Sequence, residues 1–563
     1  MRKIVFILVV MFIVHQVHSQ GTWTQKANFG GAKRCGAIGF SIGNKGYLGT
    51  GVGAIYNMLN DFWEWDQSTD VWTQKANFPD TTVCWATGFS IANKGYICTG
   101  FNWATGQMYN DLWEYDSALN TWKQKASFPG TRRNGAVVFT IGFKGYMGTG
   151  QDDNANMTND FWEYDAVSDT WNQKANFPLQ GRAWAVGFSI GNKGYACSGA
   201  KTSICTGYKD FWEFDPATNV WSPKATLPTR IRDNATGFSI GNFGYIGMGD
   251  SVCGNQNNSI NLFDLWQYNP YTNSWMQMAN YGGGKVAAAA SFVIGCKGYV
   301  GTGYLYDNLT TIRNDFWEFT PPTPSAVVAG INTICAGDST SLFAAGGLFY
   351  QWSTGETTNI IHVKPTNTSA YSVIVSDACG ADTANITVTV IPYPVVAVQY
   401  KPDLCGTGVV QFTDSSTNAI AWNWDFGDGH TDTAQNPANI YPSAGQYIVT
   451  VTVSPSPFGC TTKSQFTVDI PSFSELFIPT AFSPNGDDNN DVYYVFGSCI
   501  TNMNFKIYNR WGEIIFETSD QKIGWDGTFK GEKQNAGVYM FSFVGKLTTG
   551  EEINKKGNIT LMK

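Results

Sequence analysis

The sequence predicts an all-β chain: a six-bladed β-propeller, then two β-sandwich modules and a C-terminal β-sandwich domain. Three observations carry this prediction. The composition combines 61 Gly, 37 Phe, 26 Tyr and 21 Trp with only 14% charged residues, which suits pleated strands joined by tight turns. A Trp-containing motif recurs six times at intervals of about 50 residues, the signature of a repeat architecture. After residue 320 the repeat stops and Thr/Val alternation begins, as in sandwiches.

Residues 1–19 are predicted to be a signal peptide. Arg2 and Lys3 precede an apolar run from 4 to 14, and Val17 and Ser19 take the small-residue positions before an expected cut at Gln20. The run is shorter than the roughly 20 residues that span a bilayer, so the mature chain is expected not to cross a membrane by a helix. The net charge of −8 without basic runs argues against nucleic acid as a partner.

Residues 20–319 contain the six repeat units. Each unit has a hairpin such as Phe40 to Tyr47, an Asp-Phe/Leu-Trp strand and a second Trp strand such as Val71 to Ala76, which makes four strands. The Asp-Phe/Leu-Trp motifs start at Asp61, Asp111, Asp160, Asp210, Asp264 and Asp315. The last unit lacks its final Trp strand, and an orphan Trp strand, Thr22 to Ala27, opens the mature chain. We expect this N-terminal strand to complete blade six and remove an open sheet edge.

These units resemble Kelch repeats in their period, their Gly-Tyr strand and their closing Trp strand. The resemblance implies a Kelch-like propeller. The glycine pair usual after the second strand is here Gly49-Thr-Gly51 or Cys98-Thr-Gly100, so the repeat is divergent. Because the motif aspartates recur in every blade, they are expected to be scaffold, bonding turn amides.

Two modules follow a Pro-rich linker at 320–326. Residues 327–392 contain Tyr350-Gln-Trp-Ser-Thr-Gly-Glu356 and resemble the immunoglobulin-like (Ig-like) repeats of bacterial surface adhesins. Residues 393–470 contain Trp424-Asp-Phe-Gly-Asp-Gly429 and resemble a PKD domain. Both resemblances imply spacer modules of a surface protein.

The twelve cysteines suggest an oxidising compartment. The Ig-like resemblance implies a disulfide between Cys335 and Cys379. Cys405 and Cys460 flank the PKD segment and are expected to form a second disulfide, the alternative being two buried free thiols. Seven cysteines lie between Cys35 and Cys296, so at least one of them is unpaired or pairs outside that segment.

Residues 475–563 carry a further set of motifs in order: Phe477 to Asp487, Asn509-Arg-Trp-Gly-Glu513, Trp525-Asp-Gly527 and Gly557 to Leu561. This segment is similar to the gliding-motility-associated C-terminal domain of type IX secretion substrates. The similarity implies export across the outer membrane of a Gram-negative, gliding-type bacterium, with the type IX secretion apparatus as partner. The segment from Pro471 to Ser474 is expected to be accessible to processing.

One loop of this domain has oxygen-bearing side chains at the spacing of calcium loops. They are Asn485, Asp487, Asn489 and Asp491. No bidentate Glu follows at the twelfth position. A turn without metal is therefore the favoured interpretation, and no cofactor is expected anywhere in the chain.

The candidate binding site is the propeller face on which the 4–1 and 2–3 connections converge. Arg34, Arg133, Arg182 and Arg232 each precede a first-strand Phe by six residues, whereas blades two and six carry Val83 and Val286. The same face can draw on aromatic side chains, namely Trp85, Trp184, Tyr56, Trp103, Tyr109, Tyr208, Tyr304 and Tyr306. These residue types suit stacking on a glycan or gripping an acidic peptide. The alternative for the arginines is a hydrogen bond to a neighbouring blade.

The catalytic inventory favours a recognition protein over an enzyme. All four His of the chain lie outside the propeller, so neither a copper oxidase nor a Ser-His-Asp hydrolase can be assembled there. A sialidase-like glycosidase, which needs arginines, a tyrosine and carboxylates, stays open, although the Asp-box pattern Ser-x-Asp-x-Gly-x-x-Trp is missing from every blade. A non-binding structural surface component is the other alternative.

Overall fold

The computed structural model describes residues 20–80, 82–201, 207–251, 260–305, 311–403, 405, 408–455, 457, 459–470, 476–497, 499–548 and 550–563. The predicted signal peptide, Tyr306 and the segment from Pro471 to Ser474 lie outside these residues. The described residues are β-strands and turns, with one 3-10 turn at Ala54–Tyr56 and no α-helix. Two compact units form: one contains residues 20–329, 343–360 and 372–385, and the other contains 330–342, 361–371 and 386–563.

The first unit contains six four-stranded antiparallel sheets, the blades, as the sequence predicts. Each first strand alternates buried and half-buried residues, and each second strand is almost wholly buried. The strands of blades one to three are Ile38–Ile42, Lys45–Gly49, Phe62–Asp66 and Val71–Lys75; Thr87–Ile91, Lys94–Asn102, Gln107–Asp116 and Thr121–Lys125; and Val137–Ile141, Lys144–Gly148, Phe161–Asp165 and Thr170–Lys174.

Blades four to six repeat this arrangement. Their strands are Val186–Ile190, Lys193–Cys197, Phe211–Asp215 and Val220–Lys224; Thr236–Ile240, Phe243–Gly247, Leu265–Asn269 and Ser274–Met278; and Ala290–Ile294, Lys297–Gly301, Phe316–Thr320 and Thr22–Gln25. Two short pairs of strands extend the loops: Arg133–Asn134 with Gln151–Asp152, and Asp250–Ser251 with Ile260–Asn261.

The N-terminal strand completes blade six, which confirms the predicted closure. Thr22–Gln25 pairs antiparallel with Phe316–Thr320, Trp23 lying opposite Phe319. At every blade interface, the fourth-strand Trp donates an indole N–H to a carbonyl of the preceding blade. These bonds are Trp72 to Ala27, Trp122 to Ala76, Trp171 to Ala126, Trp221 to Ala175, Trp275 to Ala225 and Trp23 to Ala279, at 2.7–3.1 Å. The strand from the chain start therefore makes the same interface bond as the five others.

A closed ring of backbone hydrogen bonds circles the propeller axis. One residue per blade, just before the first strand, donates its N–H to the carbonyl of its counterpart in the preceding blade. In order around the ring these residues are Gly36, Trp85, Gly135, Trp184, Asn234 and Ala288, and the six N···O distances are 2.8–3.1 Å. All six have positive φ, between 47° and 61°. We call these six residues the axial ring.

The first unit also includes residues 343–360 and 372–385 of the predicted Ig-like module. A disulfide joins Cys296, in the turn between the first two strands of blade six, to Cys379. The Tyr271 ring, in a turn of blade five, lies 6.4 Å from the Phe349 ring. These contacts are on the face that carries the short turns, opposite the 2–3 loops. Segment 327–392 thus contributes to both units, its strands being Val327–Gly330, Thr333–Cys335, Thr340–Ala345, Phe349–Trp352, Ile360–Val363, Ser369–Asp377 and Gly380–Ile391.

The second unit contains two further cores. The first, between a three- and a four-stranded sheet, is built around Phe412, Trp424 and Val451. Its strands are Val398–Pro402, Val409–Asp414, Ala421–Asp425, Thr431–Asp432, Ala438–Ile440, Gly445–Ser454 and Thr462–Ile470. The second core, around Phe505, Trp525 and Phe543, packs on a five-stranded sheet. Its strands are Ala481–Phe482, Ile500–Tyr508, Ile514–Thr518, Thr528–Phe529, Glu532–Lys533, Gly537–Leu547 and Glu552–Leu561.

Both predicted disulfides, Cys335–Cys379 and Cys405–Cys460, are wrong. Cys335 is bonded to Cys460, Cys405 to Cys499, and Cys379 to Cys296. The prediction assumed that each module staples its own two sheets, whereas each partner in the structure belongs to the adjacent segment of the chain. The inference that the cysteines between 35 and 296 are not all paired with one another is confirmed, because Cys296 pairs outside and Cys35, Cys84, Cys98 and Cys197 are buried free thiols.

Candidate functional site on the propeller loop face

The four predicted ligand-binding arginines are enclosed in their own blades. Their side chains are at most 1% exposed. Each guanidinium forms an ion pair with the motif aspartate of the same blade. The pairs are Arg34–Asp61 at 2.7 Å, Arg133–Asp160 at 2.6 Å, Arg182–Asp210 at 2.6 Å and Arg232–Asp264 at 2.7 Å. Such pairs hold the start of the third strand to the segment before the first.

Each arginine has a second partner in the turn after the second strand. Its Nη1 donates to the carbonyl of a residue in the left-handed conformation. The four acceptors are Thr50, Thr149, Ser198 and Met248, at 2.9–3.0 Å. These bonds give a partner to carbonyl groups that accept no hydrogen bond from a neighbouring strand. A turn can be buried only when its backbone polar groups have such partners. The prediction that these arginines contact a ligand is therefore wrong, and their bonds lie within one blade, not across to the next.

Two of the motif aspartates, Asp61 and Asp264, have a pKa below the ordinary value although they are partly buried. For Asp61, burial alone would raise the pKa, but the hydrogen bond and charge of Arg34 and the indole N–H of Trp63 outweigh it and lower the pKa below its ordinary value. The scaffold role expected for these aspartates fits this geometry, with different partners from those predicted. The sequence carries a signal of the pairing, because every arginine of the set is followed 27–32 residues later by the aspartate of its blade.

Two tryptophans of the axial ring cover the centre of the loop face. The indole N–H of Trp85 donates to Asn234 Oδ1 at 3.1 Å, and these residues belong to blades two and five, on opposite sides of the axis. The Trp184 ring lies against Gly135, where a Cβ atom would come within 2.6 Å of it. The structure thus brings Trp85 and Trp184 to one face, as the sequence predicts.

An exposed aromatic cluster continues outward from Trp85. The Trp103 ring lies 6.1 Å from that of Trp85 and 5.3 Å from that of Tyr56, all between ring centroids. Trp103 is 43% exposed, Tyr56 53% and the neighbouring Ile55 94%. Ile55 and Tyr56 both have positive φ, which is unfavourable for these side chains and marks a constrained loop. We call Tyr56, Trp85 and Trp103 the aromatic ridge.

A polar cleft of about 390 Å³ lies beside the loop that carries Tyr56. Its walls come from blades one and six and include Lys33, Asn57 and Thr311. Lys33 is exposed and provides a positive charge. Ridge and cleft together offer apolar ring faces next to hydrogen-bonding groups and one cation.

The remaining predicted aromatics have other tasks. Tyr208 lies over the Arg182 guanidinium, 4.0 Å from its carbon, and Tyr109 packs against the cluster between blades one and two. Tyr304 is buried, and its hydroxyl donates to Asp250 Oδ2 at 2.6 Å.

Blade five carries two buried carboxyl groups that the sequence did not single out. Asp233 and Asp250 lie opposite each other in a bridge just outside the axial ring. Burial raises the pKa of Asp250 to about 7, the Tyr304 hydroxyl opposing this shift and the charge of Asp233 adding to it. Burial likewise raises the pKa of Asp233 to about 6. Isolated aspartates in loops gave no signal of this, because their burial depends on the fold.

The loop that was considered as a calcium site, residues 485–491, forms hydrogen bonds within itself. The carboxylate of Asp491 accepts the N–H groups of Gly486 and Asp488 at 2.6 and 2.8 Å. Asn485 accepts the N–H of Asp487, and Asp487 accepts that of Asn489. Within the described residues, no group of three or more His, Cys, Asp or Glu side chains is placed to hold a metal ion. These hydrogen bonds hold the loop as a turn.

Two family matches cover the C-terminal part of the chain. Residues 476–561 match the CHU_C Type IX secretion signal domain, and residues 393–470 match the PKD domain. The former indicates export to the cell surface or the extracellular space. No helix of the described residues is long and apolar enough to cross a membrane.

No curated protein matches the chain. A solved structure described as "Structure of YjhT" aligns with a TM-score of 0.46 and 16% sequence identity, covering 52% of this chain and 97% of that chain. The chain is thus similar to known families in its PKD and type IX secretion signal domains.

Proposed function

We propose that the chain is a surface recognition protein of a Gram-negative, gliding-type bacterium, exported through the type IX apparatus, whose Kelch-like propeller binds a glycan. The match of residues 476–561 supports the export route. The aromatic ridge, whose Tyr56 lies in a strained, exposed loop, is the observation that carries the binding function, because large exposed apolar groups mark interaction sites.

A glycan fits the chemistry of this face better than an acidic peptide does. The four arginines that would have gripped a peptide carboxylate are committed to aspartates inside the blades. Among the described residues of this face, the accessible groups include the ring faces of Trp103 and Tyr56 and the polar cleft with Lys33 and Asn57. Flat aromatic faces flanked by a few fixed polar groups suit a sugar ring, which has one apolar face and a polar edge.

The same commitment of the arginines counts against a sialidase-like glycosidase. Of the seven propeller arginines, four are buried in ion pairs, and Arg313 donates to the Gly283 carbonyl. Only Arg132 and Arg230 then remain for the arginine cluster that such a site needs. We therefore propose a binding module and not an enzyme.

Binding is tested with the full-length protein on a glycan array. Trp103→Ala and Tyr56→Ala should each lower the binding signal at least tenfold, because each removes a stacking face. Phe143→Ala is the matched control: Phe143 is also an exposed aromatic, 68% accessible, but it lies in a short turn between the first two strands of blade three. Equal loss in all three variants, or no glycan bound by the native protein, contradicts the proposal.

Export is tested by deletion and by fusion. Removing residues 475–563 should retain the protein in the periplasm, and attaching them to a signal peptide and a fluorescent reporter should bring the reporter to the surface or medium. Deletion leaves Cys405 without its partner, and fusion leaves Cys499 unpaired, so the two experiments use Cys405→Ser and Cys499→Ser backgrounds. The Cys405→Ser/Cys499→Ser full-length protein is the control, and secretion after the deletion overturns the assignment.

A further inference from the structure

The three disulfides among the described residues share one property: each joins two consecutive segments of the chain. Cys296–Cys379 links the propeller to segment 327–392, Cys335–Cys460 links that segment to the PKD domain, and Cys405–Cys499 links the PKD domain to the secretion signal domain. The bridges span 83, 125 and 94 residues. Every junction between segments is therefore enclosed in a covalent loop.

From the last of these bridges we infer that the secretion signal domain stays covalently attached to the exported protein even when the backbone is cut at its junction. Hydrolysis of one peptide bond between Ile470 and Leu476 consumes one water and gives two chains. The Cys405 and Cys499 sulfur atoms remain bonded to each other, one on each chain. This inference concerns the same export domain as the proposed function, but it does not depend on ligand binding.

The two domains are able to survive such a cut because their cores are separate. Among the described residues, the apolar core of the PKD domain draws on residues 396–470, and that of the secretion signal domain on residues 476–561. Each cysteine of the bridge lies next to a strand of its own domain: Cys405 precedes Val409–Asp414 and Cys499 precedes Ile500–Tyr508. A cut between Ile470 and Leu476 therefore leaves the described residues of each core on one chain.

Exchange with other thiols is restricted inside the chain. Among the described residues, the four free cysteines are all buried in the propeller, and burial raises the pKa of Cys35 and of Cys197 to about 12. The thiolate, which is the attacking species, is then scarce. An external dithiol releases the domain: it transfers two electrons and two protons, leaves Cys405 and Cys499 as thiols and becomes a disulfide itself.

The test uses the full-length secreted protein with a site-specific protease sequence inserted between Ile470 and Leu476. After digestion, a non-reducing gel should show one species of nearly full length, and dithiothreitol should split it into two chains. The pairing that the sequence suggested, Cys405 with Cys460, gives the opposite result, because the domain would then separate without reductant. Separation without reductant overturns the inference.

The Cys405→Ser/Cys499→Ser double variant is the matched control, and its two fragments should separate without dithiothreitol. If that variant does not fold, peptide mapping of the unreduced native protein decides. A cross-linked peptide pair containing Cys405 and Cys499 supports the inference, and one joining Cys405 to Cys460 refutes it.

Discussion

Two sets of positions recur once in each blade, and the propeller uses them in different ways. The arginine positions, four of six occupied by Arg, put the same side chain into the same buried ion pair. The axial ring has the same backbone geometry six times over but carries Gly, Trp, Gly, Trp, Asn and Ala. Repetition of the side chain marks a position that holds the blade together, and variation over a fixed backbone marks a position free to make an asymmetric surface.

The largest expected effect comes from opening the ring. Deleting Gly21 to Phe29 removes the fourth strand of blade six, the Trp23 bond to Ala279 and the Trp23 contacts with Tyr281 and Phe319. Exposing a sheet edge and losing a Trp worth a few kcal/mol should abolish a soluble, cooperatively folding propeller. Size-exclusion chromatography and a thermal melt measure this, and a monomeric mutant with an unchanged melt contradicts the closure.

Arg182→Val should lower the free energy of unfolding by about 3–5 kcal/mol, because it leaves Asp210 partly buried without its counter-charge. Adding Asp210→Asn should recover part of this loss, so the double variant is more stable than the single one. Urea unfolding of both proteins measures the difference. Blade two provides the precedent: it carries Val83, and its Trp113 bonds Asp80 in place of the motif aspartate. If the single variant is as stable as the wild-type protein, the Arg182–Asp210 ion pair does not stabilise the blade.

Asp250 should give the propeller a pH-dependent stability. Its folded-state pKa is about 7, above the roughly 3.9 of an unfolded Asp, so the folded state binds more protons and stability falls as pH rises from about 4 to about 7. Asp250→Asn should remove the contribution of Asp250 to this slope, about 1–3 kcal/mol between pH 5 and pH 8, and leave the smaller contribution of Asp233, whose pKa is raised to about 6. Unfolding measured at both pH values in the two proteins checks it, and equal slopes argue against a neutral Asp250.

The smallest effect compares two glycines of the axial ring that share φ values of 60° and 61°. A Cβ on Gly135 would meet the Trp184 ring at 2.6 Å, whereas one on Gly36 would lie 3.3 Å from the Trp85 ring. Gly135→Ala should therefore cost roughly 1 kcal/mol more than Gly36→Ala. Thermal melts of the two variants measure the difference, and equal costs would mean that Trp184 moves aside freely.

The repeats could be predicted from the sequence because each blade contains its own hairpins and the period is visible in the Trp positions. The orphan strand at Trp23 identified closure for the same reason. The cysteine pairs could not be predicted, because the residues around a cysteine do not indicate its partner. Cys335 and Cys460 come together only when the segments that carry them have folded. The axial ring could not be predicted either, because the residue types at Trp85 and Ala288 do not indicate a positive φ.

At the candidate site, residue type predicted the position of the tryptophans correctly and that of the arginines incorrectly. Trp85, Trp103 and Trp184 reach the expected face, because an up-and-down blade sends its 4–1 and 2–3 connections to one end. The arginines were misassigned because a charged side chain was taken to be exposed, although a matching aspartate followed in each blade. Burial of Asp233 and Asp250 depends on tertiary contacts, such as the Tyr304 hydroxyl of blade six on Asp250, and has no local signature.

The axial ring has no first or last member, and its six amide protons should therefore exchange with solvent deuterium at similar rates. In an open row of six such residues, one terminal N–H would exchange with solvent deuterium while the others stayed protected. Here every donor is engaged by the neighbouring blade, so the six protons are exposed to exchange only when a blade interface separates. The exchange rate of these six amides therefore reports the opening of the propeller itself.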